Sequence, residues 1–180
     1  ISFVASSNCA LYCGAKIDFV DIDPSTFNIS INALKKKLVI AKKENKLPKV
    51  LIPVHLGGLS CDMLEIKDLA KKFKFKIIED ASHAIGGRYR DKPIGNCKYS
   101  DITVFSFHPV KIITSAEGGM ALTNNKELAN KMTMFRNNGI TKDKKKMKSH
   151  NNKPWYYEQL ELGYNYRLSD VHSALGLSQL

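Results

Sequence analysis

The chain has 180 residues, 43% of them apolar, which is enough for one substantial core, and no apolar run approaches the roughly 18 residues of a membrane span. A soluble, cytoplasmic protein with no membrane partner is expected. Its net charge of +11 invites nucleic acid, yet the lysines spread over expected helix faces (Lys35 to Lys37, Lys42, Lys43, Lys71, Lys72) and one loop, Lys142 to Lys148, without interleaved aromatics. They read as solvated faces, and no nucleic-acid partner is expected; a smaller anion such as a nucleotide diphosphate fits the charge equally well.

The chain opens at Ile1 rather than Met and stops at Leu180 within an amphipathic pattern, so an internal fragment of a larger protein is expected. Ser2 to Ala5 reads as an apolar turn or strand end. Ser7 is placed to cap a short helix, Asn8 to Tyr12, that stops at Gly14. Ile17 to Ile22 alternates as a strand, closed by the turn Asp23-Pro24. A helix follows from Ile31 to about Lys43, with Leu34, Leu38 and Ala41 on one face.

Val50 to Val54 is an apolar strand, and Gly57-Gly58 and Asp62 mark a loop and a cap before a helix over Met63 to Lys72. Phe73, Phe75 and Ile77 alternate into a strand ending Ile78-Glu79-Asp80. Ala84 to Ile94 suggests a small hairpin. Strands near Ile102 to Ser106 and Met120 to Thr123 precede a helix from Lys126 to about Arg136, ended by Gly139. Lys142 to Lys153 has almost no apolar residues and is expected to be a loop or insertion. Ser169-Asp170 begins a last helix. This alternation of strands and helices predicts an α/β domain, a largely parallel sheet between helices.

The four cysteines, Cys9, Cys13, Cys61 and Cys97, form no CxxC pair, so reduced thiols and no metal site are expected. Ligands of open α/β sheets bind beyond the carboxyl ends of the strands, where Asp80, His83, Ser106, His108 and Lys111 fall. A lysine between an apolar strand and the turn Gly118-Gly119 can form an imine with a carbonyl compound, and pyridoxal phosphate is the commonest carbonyl cofactor of this kind. That cofactor needs a carboxylate at its ring nitrogen, for which Asp80 is the best candidate, and phosphate donors, for which Ser106 is. Glu79, adjacent on the strand, is expected to face the other way. Each residue also has a plainer reading: Asp80 as a cap or surface ion pair, His83 as a core histidine, Ser106 as a hydroxyl bonding backbone.

The set Glu79-Asp80-Ala81-Ser82-His83-Ala84, Ser106-Phe107-His108-Pro109-Val110-Lys111 and Ala116-Glu117-Gly118-Gly119 resembles the DegT/DnrJ/StrS family of pyridoxal-phosphate sugar aminotransferases. Phe3-Val4-Ala5, Gly14-Ala15-Lys16, Phe19 to Asp23 and Gly163 to Asp170 extend the likeness, in the family's order, over essentially the whole chain. The wording of Ser106 to Lys111 and of Ala174 to Leu180 looks most like the branch that aminates a UDP-linked 4-keto-6-deoxy-N-acetylhexosamine on the way to pseudaminic acid.

The resemblance implies a fold type I (aspartate aminotransferase-like) large domain over residues 1–180, without the N-terminal segment and the small C-terminal domain that complete such enzymes. It implies amino transfer, from glutamate, to a nucleotide-linked keto sugar through a pyridoxal 5'-phosphate Schiff base on Lys111. Asp80 would face the ring nitrogen, His83 the phenolic oxygen and Ser106 the phosphate. Phe3 would stack on the ring unless it is a core phenylalanine. Asn165 would reach the phosphate of the neighbouring subunit's cofactor, which presumes a homodimer. His55 and Glu117 either line the pocket or pack in loops. A dehydratase of the same family is the alternative that Lys111 opposes, since such relatives carry histidine there. A non-catalytic binding module that keeps the fold is opposed by the trio Asp80, Ser106 and Lys111.

Overall fold

The computed structural model describes residues 1–149 and 153–180. In chain order its elements are α1 (Val4–Tyr12), α2 (Ile31–Lys43), β1 (Val50–Leu51), a 3-10 turn Leu56–Gly58, α3 (Met63–Phe73) and β2 (Lys76–Asp80). There follow β3 (Arg88–Tyr89), β4 (Lys92–Pro93), β5 (Ile102–Ser106), β6 (Gly119–Leu122), α4 (Lys126–Arg136), β7 (Ile140–Thr141), β8 (Glu158–Gln159) and α5 (Asp170–Leu177). The four-stranded sheet has the order β1-β2-β5-β6. β1, β2 and β5 run parallel and β6 is antiparallel to β5. Among the described residues, no helix is long and apolar enough to cross a membrane.

Local chemistry explains the helix starts. The side chain of Ser30 accepts from Ala33 N at the head of α2, Asp62 from Glu65 N at α3, Asn125 from Glu127 N and Leu128 N at α4, and Ser169 from His172 N at α5. Each satisfies a backbone donor that the first turn leaves without a partner. α1 differs: it begins at Val4, N-terminal to its expected start, with Phe3 as an N-cap lacking any side-chain bond. Ser7 lies inside it and donates to Val4 O rather than capping.

Three expected strands are shorter than the apolar pattern suggested. The one opened at Phe73 starts only at Lys76, because Phe73 ends α3 and Lys74 takes a left-handed φ of 61°. Ile17 to Ile22 forms only one bridge, Ile22 to Ile29, because the chain turns at Asp23 and folds back on itself through Asp23 N to Asn28 O (2.8 Å) and Ser30 N to Asp21 O (2.9 Å). A ladder needs a neighbouring strand along its length. In Val50 to Val54 the regular strand stops at Leu51, ahead of Pro53, which lacks a donor. Pro53 O still accepts from Asp80 N (2.9 Å), and His55 N donates to Asp80 O (3.0 Å), so the segment remains tied to β2. The expected basic loop Lys142 to Lys153 lies partly outside the described residues; its turns over 142–149 are built on Asp143, whose side chain accepts from Lys145 N.

The two faces of the sheet differ. Along β2 and β5 the residues Ile77, Glu79, Thr103 and Phe105 are buried, and Ile78, Asp80, Ile102, Val104 and Ser106 are half-buried, the period of two that a strand imposes. The buried face lies under α2 and α3, whose Leu34, Leu38, Met63, Ile66, Leu69 and Phe73 join Phe75 and Ile77 in one core cluster. A second cluster joins Phe105 of β5 to Ala81, Ala84, Ile94 and Phe107. α1 approaches the half-buried face, where Ser6 bonds Asp80.

Candidate active site

Asp80 is the last residue of β2, and Ser106 the last of β5. The parallel register sets Asp80 opposite Val104, and Ser106 lies two residues further along, so all three side chains share the half-buried face. His83 follows Asp80 by three residues in the turn, and Lys111 follows Ser106 by five, in the loop between β5 and β6.

That loop is pinned at its base. Phe107 N donates to Gly118 O (2.9 Å), Ser115 N to Phe107 O (3.0 Å) and Thr114 Oγ1 to Phe107 O (2.9 Å). Thr114 N donates to Gln179 Oε1 (3.0 Å), beyond α5. At Gly119 a Cβ would meet Phe105 O at 2.8 Å, so only glycine lets β6 pair this closely with β5. The left-handed residue of the loop is Ala116, with φ 65°, rather than either glycine of the pair. Lys111 is half-buried, and its Nζ makes no hydrogen bond or ion pair with the described residues.

Asp80 is held from two sides. Ser6 donates to Oδ2 at 2.6 Å and the Ser82 backbone N–H donates to Oδ1 at 3.1 Å. Burial pushes the carboxyl up, but these bonds and the nearby His83 outweigh it, leaving Asp80 below the usual carboxylate range. The group is an anion at neutral pH. It forms none of the ion pairs among the described residues, so the surface-salt-bridge reading of Asp80 is set aside.

The other candidates are placed as follows. His83 Nδ1 accepts from Gly57 N at 3.4 Å, and the residue is half-buried at the edge of the turn, not in the core. Ser106 Oγ accepts a long bond, 3.4 Å, from His108 N. Phe3 is 71% exposed, which excludes the core reading, and its carbonyl accepts from Ser6 N (3.1 Å), one turn from the residue that touches Asp80. Asn165 pairs through its backbone with Asn137, just past α4, and makes no hydrogen bond to the other five candidates.

His55 does not line the pocket. It is fully buried on the far side of β2, with Nε2 2.8 Å from Glu79 Oε2 and Nδ1 accepting from Cys61 N (3.2 Å). Those two bonds set its tautomer, since Nδ1 accepts and Nε2 must therefore carry the proton. Glu79 also accepts from Ser100 Oγ and Thr103 Oγ1. Burial raises Glu79, but His55, Ser100 and Thr103 together bring it below the usual range. Glu117 is exposed, 3.9 Å from His108 Nε2. The residue missed by sequence reasoning is Ser6. Nothing local marks it, because its partner lies 74 residues away.

An ionised carboxylate and a hydroxyl at neighbouring strand ends, with a half-buried amine in the loop beyond the second, are groups that a phosphate-bearing aldehyde of a nitrogen heterocycle requires, so the residues fit pyridoxal phosphate. A mainly parallel sheet between helices with this set at and beyond its strand ends defines the class as an α/β fold with a ligand site at the carboxyl edge of its sheet. The family model of the DegT/DnrJ/EryC1/StrS aminotransferases matches residues 1–180, and the chain belongs to that family.

Among the curated relatives, the UDP-4-amino-4,6-dideoxy-N-acetyl-beta-L-altrosamine transaminase of Campylobacter jejuni is 43% identical over 100% of this chain and 44% of its own length. Among solved structures, PseC of Helicobacter pylori, an aminotransferase involved in the biosynthesis of pseudoaminic acid, superposes with a TM-score of 0.85 at 36% identity, over 99% of this chain and 43% of its own. The PLP form of Spr1654 from Streptococcus pneumoniae superposes with a TM-score of 0.75 at 28% identity, over 99% of this chain and 46% of its own. The chain thus spans less than half the length of the relatives it matches.

Proposed function

We propose that the protein containing this chain transfers an amino group, from glutamate, to a nucleotide-linked 4-keto-6-deoxy sugar, with pyridoxal phosphate held covalently by Lys111. The observation that carries this reading is the doubly bonded, ionised Asp80 at the end of β2, on the same sheet face as Ser106, in a chain whose family is that of the sugar aminotransferases. When bound, the cofactor supplies a carbonyl that condenses with amines and a ring that withdraws electrons.

The residues divide the remaining work. Lys111 Nζ would hold the cofactor and, when not bonded to it, would carry a proton between carbon atoms. Asp80 would keep the ring nitrogen protonated, Ser106 would bind the phosphate, and His83 would face the phenolic oxygen. Phe3, exposed at the head of α1, stacks on the ring. Residues 1–180 form most of the cofactor-binding large domain. Asn165 serves the cofactor of a second subunit, and the exposed Tyr164, Tyr166, Val171 and Leu177 nearby support burial against such a copy. The names of the relatives support a UDP-linked sugar of the pseudaminic acid route as substrate. Four free cysteines, two of them exposed, support a reducing cytoplasmic setting.

The test is a visible spectrum of the complete protein with pyridoxal phosphate. An absorption band that Lys111→Ala removes, and that glutamate bleaches in the wild type, is the expected result. Absence of the band in the wild type sinks the proposal, and a band that glutamate leaves unchanged points to a binding module without turnover. A panel of UDP-linked keto sugars then identifies the acceptor.

A further inference from the structure

We infer that Ser6 is a positioning residue for Asp80: its hydroxyl, brought over the end of β2 by α1, fixes the orientation of the carboxylate that faces the cofactor's ring nitrogen. This deepens the function proposed above and rests on its assignment of Asp80.

A carboxylate can only accept, so the proton of Ser6 Oγ must lie on the 2.6 Å bond to Asp80 Oδ2. The other oxygen, Oδ1, takes the Ser82 backbone N–H at 3.1 Å. One donor on each oxygen, arriving from two different elements, sets the plane of the group, with the Ser82 hydroxyl and His83 also beside it, and leaves acceptor capacity for a further partner. The Ser82 bond is local, two residues along the turn, and travels with Asp80. The Ser6 bond is the long-range one, and it alone ties the carboxylate's orientation to α1. The backbone of Asp80 is fixed independently, its N–H to Pro53 O and its carbonyl to His55 N, so loss of the Ser6 hydroxyl frees the side chain and not the strand.

Two consequences follow for the cofactor's ring. The carboxylate keeps its ionised form to lower pH with the hydroxyl than without it, since a bond to the charged form favours that form. Its free lone pairs stay pointed in one direction, so the ring nitrogen meets an acceptor that needs no reorganisation. Ser6 touches neither cofactor nor substrate in this scheme and acts through Asp80.

The experiment compares Ser6→Ala, Ser6→Cys and Ser6→Thr with the wild type and Asp80→Asn, in the complete protein loaded with pyridoxal phosphate labelled with nitrogen-15 in the ring. The readouts are the ring nitrogen's chemical shift against pH, the cofactor's dissociation constant and the melting temperature. Ser6→Ala is expected to weaken cofactor binding about tenfold and to move the acid limb of the nitrogen shift's pH profile, where Asp80 loses its charge beside the ring, to higher pH. Ser6→Cys, a weaker donor, falls between, and Ser6→Thr, which keeps the hydroxyl, stays close to the wild type. A Ser6→Ala protein with lowered melting temperature but unchanged nitrogen shift and affinity overturns the inference, leaving Ser6 as an anchor for α1 only. If Asp80→Asn also leaves the nitrogen shift unchanged, the assignment of Asp80 is what has failed, and the role of Ser6 falls with it.

Discussion

Glu79 and Asp80 are consecutive carboxylates on β2, both held below the usual carboxylate range, yet by different means and on different faces. Glu79 is 5% exposed and saturated by His55, Ser100 and Thr103 beneath α2 and α3. Asp80 is half-buried, with one donor on each oxygen and room for another partner. A buried carboxylate with every bond satisfied rigidifies the structure, while one kept ionised with acceptor capacity to spare can serve a ligand. The difference separates the residue that holds the strand end from the residue that uses it.

Substitutions can break that separation. The largest expected effect is on chemistry at the open face: Lys111→Ala lowers amino transfer by roughly 10²- to 10⁴-fold or more, measured as turnover of the complete enzyme, with its melting temperature little changed. At the sealed face, His55→Ala leaves Glu79 as a buried anion short of one hydrogen-bond donor and should cost about 3 kcal/mol, read from the shift in denaturant midpoint. Asp80→Asn should cost far less in that assay. Equal losses from His55→Ala and Asp80→Asn would erase the distinction between the faces.

Acid sharpens the comparison. Both carboxylates have depressed folded-state pKa values, so each contributes stability that is present above the ordinary carboxylate pKa, near 4, and is lost as pH falls through the folded value. Melting temperature should fall below about pH 4, and Glu79→Gln and Asp80→Asn should each flatten that fall. The smallest effect is chemical. Burial and the neighbouring Glu79 push the Cys61 thiol up to about 12, so an aromatic disulfide reagent at pH 8 should label Cys9 and Cys13 and leave Cys61 untouched until the protein unfolds.

Much of this molecule was legible in the residues. The spacing of Leu34, Leu38 and Ala41 places α2 where it lies, and Asp62 as a cap announces α3. The opposite facing of Glu79 and Asp80 needed only the period of a strand. The shared face of Asp80 and Ser106 needed the register as well, which no single segment carries. What stayed hidden depends on contacts across the chain: Ser6 reaching Asp80 over 74 residues, and His55 turning inward to Glu79 over 24. Ile17 to Ile22 misled for the related reason that alternation reports a face and not the presence of a neighbouring strand.

The bond from Thr103 Oγ1 to Glu79 has a further consequence, because it links residues set directly opposite each other in the pairing of β2 with β5. Sliding β2 by one residue would exchange every inward and outward side chain. Asp80 would then enter the apolar core and Glu79 would emerge on the half-buried face. The buried trio of His55, Ser100 and Thr103 matches a glutamate reaching in from that single position, so it works as a detent: the strand clicks home only in the alignment that presents the aspartate to the open side.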